Sequence, residues 1–159
     1  MQDLYPSRLE DENIINRVDP VVYSKNMITE HSLNKEQLDS YERNGFIVFP
    51  KLFSKDEIKA FKEELKSLES NIELRKKDEF ISEPDSNELR TIFNQHLYSK
   101  LFDKLSKDPR ILDKVRQILG SDVYIHHGRI NIKHAYKGKS FPWHSDFETW
   151  HCEDGLPRC

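Results

Sequence analysis

The sequence predicts an α+β domain in which several helices precede a small antiparallel sheet. Two observations support this class. Helical periodicity with capping signals dominates most of the chain, and the pattern changes to strand-like alternation after Gly120. A length of 159 residues is typical of one domain and allows a buried core. Charged residues make up 33% of the chain and hydrophobic residues 36%, so we expect an extensive polar surface.

The first 33 residues differ from the rest of the chain. They are polar, include Pro6 and Pro20, and show no sustained periodicity. We expect residues 1–33 to form an extended N-terminal arm that docks on a larger body or is partly disordered. Residues 34–159 are then assigned to a single domain.

Three helices have clear start and stop signals. Asn34, Ser54 and Asp108 stand at N-cap positions, and Gly45 and Gly120 end the first and third of these helices. Glu57 completes a capping box with Ser54, as Gln37 does with Asn34, and Pro109 occupies the first position of the third helix. Apolar residues at helical spacing indicate a core-facing side on the second helix (Ile58, Phe61, Leu65 and Leu68) and on the third (Ile111, Leu112, Val115, Ile118 and Leu119).

The segments between these helices are less distinct. "FIVF" at 46–49, closed by Pro50, predicts a short buried strand. Residues 71–88 are polar and end in the turn-rich "EPDSN", which indicates a loop. Residues 89–106, "LRTIFNQHLYSKLFDKLS", are expected to be helical in part.

A polar stripe follows Gly120. In the strand-like segment "DVYIHHGRINIKH", alternation places His127, Arg129, Asn131 and Lys133 on one face, and Gly128 with two isoleucines on the other. One interpretation is a solvent-facing strand surface. The other is the inner wall of a small β-barrel that binds an anion, with charge from Lys133 and an orienting amide from Asn131.

The segment "FPWHSDFETWH" at 141–151 has two interpretations, a mixed aromatic strand with its turn or metal chemistry in a hydrophobic pocket. If it is extended, His144 and Asp146 share a face, and His-X-Asp is the sequential pair of a facial triad that leaves positions open on ferrous iron. The turn-like "YKGKS" suggests a hairpin that brings Lys133 near the pair. We expect Trp143 to lie in the core. His151 lies close in sequence to His144 and Asp146, whereas the third ligand of a facial triad usually comes from a distant strand. We therefore expect that His151 does not bind the metal.

Composition narrows the other function classes. The net charge is −3, with no basic cluster, so nucleic acid is not an expected partner. No apolar run reaches the length of a membrane span, and the N-terminus lacks a signal-peptide core, so neither a membrane nor secretion is expected. The two cysteines lie close together at 152 and 159 and do not suggest a disulfide framework. We therefore expect a reducing cytoplasm. Their spacing is not that of a common zinc site.

The segment "FPWHSDFETWHCEDGLPR" closely resembles the signature of ectoine hydroxylases, within the phytanoyl-CoA dioxygenase-like group of iron(II)/2-oxoglutarate oxygenases. "EQLDSYERNGF", "EPDSNELRTIF" and "ILGSDVYIHHGRINIK" also resemble that family, so the resemblance runs through nearly the whole chain. It implies that the helices pack on part of a double-stranded β-helix, or jelly roll, which is incomplete in this chain.

The resemblance also implies roles for individual residues. His144 and Asp146 match the first two iron ligands, and Lys133 and Asn131 match positions associated with 2-oxoglutarate. Thr149 and Trp150 match positions lining the ectoine pocket. His127 stands where the family typically has a glutamine that contacts ectoine, and a histidine there has a different shape and can become charged near neutral pH.

Length is the larger departure from the family. The family's third iron ligand, a histidine, and the arginine that binds the far carboxylate of 2-oxoglutarate lie well downstream of Asp146, beyond residue 159.

The resemblance implies an enzyme that hydroxylates ectoine to 5-hydroxyectoine with Fe(II), 2-oxoglutarate and O2. It also implies a role in osmotic stress, and a homodimer is compatible with it. Two alternatives remain. One is a hydroxylase of another small zwitterion such as a free amino acid, and the other is a non-catalytic remnant or binding module.

Overall fold

A computed structural model describes residues 20–136, 138–144 and 146 of the chain. The chain divides into two compact units, one of Val21–Lys139 and one of Met1–Pro20 and Ser140–Cys159. The larger unit holds the helices and the sheet. In chain order its elements are α1 (Lys35–Asn44), α2 (Lys55–Ser70), a 3₁₀ turn (Leu74–Lys76), β1 (Phe80–Ser82), β2 (Leu89–Phe93), α3 (Gln95–Tyr98), α4 (Lys100–Ser106), α5 (Pro109–Leu119) and β3 (Arg129–Asn131).

The predicted caps of α1, α2 and α5 are confirmed. Asn34 and Ser54 each accept a hydrogen bond from the backbone of the residue three positions later, and both capping boxes are complete. Asp108 accepts from the backbone of Arg110 at the start of α5. Each box satisfies two backbone donors that a helix N-terminus would otherwise leave unpaired, which fixes the starting residue.

β2 is the central strand of a three-stranded antiparallel sheet, with β1 and β3 on either side. Phe80 of β1 and Ile130 of β3 both pair with Ile92, so this row lies on one face of the sheet. α2 and α4 cover that face, and Ile92 is completely buried. The resulting core consists of Leu68, Phe80, Leu89, Ile92 and Phe102, with Phe61, Leu65, Leu74, Tyr98, Leu105, Ile130 and Ile132 packed against it.

A second core joins the N-terminal arm to the helices. Val22 and Leu33 of the arm are buried with Leu38 of α1, and Ile118 of α5 packs against them. The side chain of Gln117 is 1% exposed and makes two hydrogen bonds with the backbone of Leu33. Val22 and Leu33 therefore anchor this part of the arm on α1 and α5.

Several sequence-based expectations were wrong. Residues 46–49 are not a strand, because among the described residues no strand pairs with them, and Phe46 and Val48 are exposed. The predicted loop at 71–88 contains β1, and the start of the segment expected to be partly helical is β2. Three residues expected to face the core, Ile58, Ile111 and Val115, remain substantially exposed.

The structure partly confirms the strand predicted after Gly120. Only Arg129–Asn131 is paired, but the alternation extends from 127 to 133, with Gly128 buried, Ile130 and Ile132 half-buried, and the four polar side chains exposed. Pairing with β2 turns the apolar positions toward the core, so the polar stripe lies on the opposite face of the sheet. Among the described residues, no helix is long and apolar enough to cross a membrane.

Candidate functional site

His144 and Asp146 face each other. His144 Nε2 lies 3.5 Å from Asp146 Oδ1, and each side chain is about half exposed, at 52% and 55%. Residues 141–144 have no regular secondary structure, so the pair is not presented by a strand as expected. The contact nevertheless places an imidazole nitrogen near a carboxylate oxygen.

The backbone fixes which nitrogen of His144 is available. Its Nδ1 lies 2.8 Å from the carbonyl oxygen of Pro142, which can only accept a hydrogen bond, so Nδ1 carries the proton. The lone pair of the neutral ring is then on Nε2, the atom next to Asp146. A hydrogen bond of this kind is how proteins set the tautomer of a metal-binding histidine.

The donor set fits a divalent metal ion. Two atoms bound to adjacent positions of one ion at about 2.1 Å are roughly 3 Å apart, so the observed separation requires only a small closing movement. Among residues 20–136, 138–144 and 146, no group of three or more His, Cys, Asp and Glu side chains could hold a metal ion. Within the described residues, His144 and Asp146 are candidates for two ligands of a larger set.

The polar stripe forms the open face of the sheet in the larger unit. Asn131 lies opposite Thr91 of β2, and the Thr91 hydroxyl donates to Asn131 Oδ1 at 3.1 Å. The ring of His127 packs on Phe93 of β2, with 5.2 Å between ring centroids and 58° between ring planes. This face combines an amide, an imidazole and an aromatic surface, with the cations of Arg129 and Lys133 on the same strand segment.

Lys133 leads into a tight turn. The backbone N–H of Gly138 donates to the carbonyl oxygen of His134 at 2.9 Å, which closes the turn. A Cβ atom at Gly138 would lie 2.9 Å from Cγ of Lys133, so only glycine lets the turn approach the Lys133 stem this closely. Lys139, in the same turn, pairs with Asp85 at 2.5 Å, and its backbone N–H donates to Glu83 at 3.3 Å. The turn thus has a second, structurally engaged lysine for comparison.

The structure describes only some of the remaining residues that the sequence analysis named. Thr149, Trp150 and His151 lie outside the described residues. Trp143 was expected in the core and is fully exposed. His144 and Asp146 belong to the unit formed by the chain ends, whereas His127, Asn131 and Lys133 belong to Val21–Lys139.

Sequence reasoning missed Thr91 and Phe93, the β2 residues that contact Asn131 and His127. They lie in the segment that was expected to be partly helical. The β-branched and aromatic residues in "LRTIF" are typical of a strand and could have indicated one. The cross-strand partners of Asn131 could not be predicted without recognising β2.

Comparisons with known proteins place the chain in one family. Residues 41–159 match the family described as Phytanoyl-CoA dioxygenase (PhyH). Ectoine dioxygenase of Bordetella bronchiseptica is 45% identical over 157 residues, covering 98% of this chain and 51% of the relative. Ectoine dioxygenase of Halomonas elongata is 44% identical over 159 residues, covering 98% and 47%. The chain thus spans about half the length of the curated relatives it matches.

Solved structures show the same similarity. EctD from S. alaskensis with 2-oxoglutarate and 5-hydroxyectoine superposes with a TM-score of 0.86 at 42% identity, covering 99% of this chain and 56% of that one. EctD from S. alaskensis with bound Fe gives a TM-score of 0.83 at 41% identity, covering 94% and 53%. At this identity the similarity extends to sequence as well as fold.

Proposed function

Because the chain belongs to the phytanoyl-CoA dioxygenase family, we propose that it is the N-terminal half of an Fe(II)- and 2-oxoglutarate-dependent enzyme that hydroxylates ectoine to 5-hydroxyectoine. The observation that carries this proposal is the pairing of His144 Nε2 with Asp146 Oδ1 at 3.5 Å, in the segment that resembles the ectoine hydroxylase signature. The three-stranded sheet would form part of a jelly roll that further strands complete.

His144 and Asp146 would hold Fe(II), with a third histidine supplied by chain beyond residue 159. Bound iron would supply the centre at which O2 reacts with 2-oxoglutarate. The Pro142 carbonyl keeps the proton of His144 on Nδ1 and leaves Nε2 ready to bind. Asp146 contributes a negative charge that partly neutralises the ion.

The polar stripe would bind the 2-oxoglutarate dianion. Lys133 offers a charge-assisted contact to a carboxylate, and the Asn131 amide offers an N–H donor that orients it. Residues two apart on a strand are about 6.6 Å apart, so Arg129 and Lys133 flank Asn131 with positive charge on the same face. This face has the charge and hydrogen-bonding pattern that a small dicarboxylate requires.

His127, Thr149 and Trp150 would contribute to the pocket for ectoine. His127 is exposed on the polar face and rests on Phe93, so its imidazole can donate to or accept from a small zwitterion. The product is a compatible solute, which implies a role in osmotic stress in the cytoplasm. The expected partner is this small molecule, and neither nucleic acid nor a membrane is an expected partner. A homodimer is compatible with this function.

A second candidate substrate is another small zwitterion, such as a free amino acid. The observation that favours it is His127 itself, which replaces the glutamine that the family typically places against ectoine. Succinate formation measured with ectoine and with a panel of amino acids distinguishes the two. Turnover with an amino acid but not with ectoine would support the second candidate.

Iron retention in the gene product that contains residues 1–159 tests the proposed function. His144→Ala and Asp146→Ala should each abolish bound iron and ectoine-dependent succinate formation, because each removes a ligand. His151→Ala is the matched control and should leave iron content largely intact. Normal iron content and turnover in both ligand variants would overturn the assignment.

A further inference from the structure

Asn131 is held by a partner that lies on another strand. Thr91 and Asn131 occupy directly opposed positions of the antiparallel β2–β3 pair. The Thr91 hydroxyl lies 3.1 Å from Asn131 Oδ1, and since that oxygen can only accept, the hydroxyl donates. This is a side-chain bond between strands, additional to the backbone ladder.

The two residues differ in environment. Thr91 is 5% exposed, whereas the Asn131 side chain is exposed on the open face. Thr91 is β-branched, so its χ1 angle is restricted by its own strand. The neighbour of Thr91 on β1 is Ile81, whose side chain has no polar atom that could compete for the hydroxyl. Thr91 is therefore a fixed, buried donor, and Asn131 is the exposed group that it orients.

The orientation of the carboxamide matters for an anion. The χ2 angle of asparagine is broad, so an exposed side chain can present either its oxygen or its NH₂ group outward. An outward oxygen repels a carboxylate, whereas an outward NH₂ donates to it. When Thr91 donates to Oδ1, that oxygen faces the sheet and Nδ2 is left for a ligand. Within the described part of the chain, Nδ2 has no hydrogen-bond partner.

We propose that Thr91 is a positioning residue for 2-oxoglutarate, which fixes the Asn131 amide with its N–H donors toward the cosubstrate. This inference rests on the proposed role of Asn131 and adds to it a residue that does not touch the ligand. Thr91 acts through one hydrogen bond, so its effect on 2-oxoglutarate affinity depends on the presence of the Asn131 side chain.

A double-mutant cycle on the gene product that contains residues 1–159 tests this dependence. The dissociation constant of 2-oxoglutarate is measured by calorimetry without oxygen, with Fe(II) present, for Thr91→Val, Asn131→Ala and the double variant. We expect Thr91→Val to weaken binding about fivefold, as expected for the loss of one net hydrogen bond. In the Asn131→Ala background the same change should have little effect, because its partner is gone.

Controls separate positioning from folding. Thr91→Ser keeps the hydroxyl and should bind 2-oxoglutarate within about twofold of the unsubstituted protein. Thr91→Val should raise the KM for 2-oxoglutarate while changing kcat little, with an unfolding temperature close to that of Thr91→Ser. The KM for ectoine should not change in either Thr91 variant.

Each outcome has a distinct meaning. An unchanged dissociation constant in Thr91→Val, together with weakened binding in Asn131→Ala, would overturn this inference and leave the proposed function standing. An equal loss from Thr91→Val in both backgrounds would also overturn it, because Thr91 would then act by another route. Unchanged binding in Asn131→Ala would overturn the cosubstrate role of the polar face and this inference with it.

Discussion

The side chain of Gln117 makes two hydrogen bonds with the backbone of Leu33, 84 residues earlier. Its Oε1 accepts from Leu33 N at 2.7 Å, and its Nε2 donates to Leu33 O at 3.2 Å. Both residues are buried, so neither backbone group has ready access to water. One amide therefore connects the N-terminal arm to α5 and satisfies both polar groups of a buried residue.

Gln117→Leu should destabilise the protein strongly. The substitution keeps an apolar helix former but leaves the N–H and C=O of Leu33 unpaired, at about 1–3 kcal/mol for each group. We expect urea unfolding to show a loss of about 2–4 kcal/mol. A loss below about 0.5 kcal/mol would mean that water reaches the Leu33 backbone and that the arm is not held by this contact.

Gly45 and Gly120 form a matched pair. Both end a helix with positive φ, at 76° and 66°. A Cβ at Gly45 would meet nothing within 4 Å, whereas at Gly120 it would lie 3.2 Å from the Cβ atoms of Tyr23 and Ser24. Alanine at either position should cost about 1–2 kcal/mol for the left-handed backbone. Gly120→Ala should cost measurably more in urea unfolding, because it also displaces the arm, and equal losses would argue against this packing.

Acid stability should depend on Arg110. Its guanidinium bonds Glu57 and Asp108 at 2.6 Å each and lies 4.7 Å over the ring of Phe53. The hydrogen bond from Arg110, with further help from Ser54, lowers the pKa of Glu57 from 4.5 to about 2, and the Arg110 side chain also lowers the pKa of Asp108. Because both folded-state pKa values are lowered, this stabilisation is complete above about pH 4.5 and is lost as the pH falls toward 2.

Arg110→Met keeps the aliphatic contact with Phe53 and removes the charge. The midpoint of thermal unfolding should then fall less steeply between pH 4.5 and pH 2 than in the unsubstituted protein. Glu57→Gln, which can still accept from Ser54 N, should show the same flattening. If the pH dependence is unchanged in both variants, other carboxylates control acid stability.

Lys133→Ala should affect the cosubstrate selectively. Loss of a charge-assisted contact costs about 1.5–3 kcal/mol, so the KM for 2-oxoglutarate should rise roughly tenfold to hundredfold. The KM for ectoine should change much less. Lys139→Ala is the matched control, because Lys139 lies in the same turn but pairs with Asp85. An unchanged KM for 2-oxoglutarate in Lys133→Ala would support the other interpretation, in which the polar stripe is a solvent-facing surface.

Residues 1–159 alone should not support hydroxylation. Two protein ligands hold Fe(II) more weakly than three and do not enforce a geometry for O2. Among the described residues, β1 and β3 are outer strands, and an apolar groove of about 400 Å³ opens between α5 and residues 123–125. We expect weak iron binding, no ectoine-dependent succinate formation, and aggregation through these edges and apolar surfaces. Stoichiometric 5-hydroxyectoine from a monodisperse 1–159 preparation would contradict this.

Local signals predicted the helices well. The N-caps Asn34, Ser54 and Asp108 and the glycine stops Gly45 and Gly120 are all found where the sequence placed them. These signals are readable because the residue that satisfies a helix end lies within about four positions of it. The alternation from His127 to Lys133 was equally readable, since strand side chains alternate whatever the strand pairs with.

The pairing of strands could not be predicted in the same way. β1 is three residues long, and β2 begins a segment with helical neighbours, so neither has a distinctive period. The sequence also predicted a strand at 46–49 and a buried Trp143, but the structure shows neither. Burial and pairing depend on partners far away in the chain, about which the sequence of a short segment contains little information.

The sequence by itself determined the helix ends, the polar stripe and the His144–Asp146 motif, because each depends on residues within a few positions of one another. Only the tertiary structure decided that Thr91 lies against Asn131, that Phe93 supports His127, and that Gln117 binds Leu33. The two residues of each of these pairs are at least 34 positions apart. Such contacts form only when hydrophobic burial brings distant segments together, and the hydrogen bonds and ring contacts then fix their geometry.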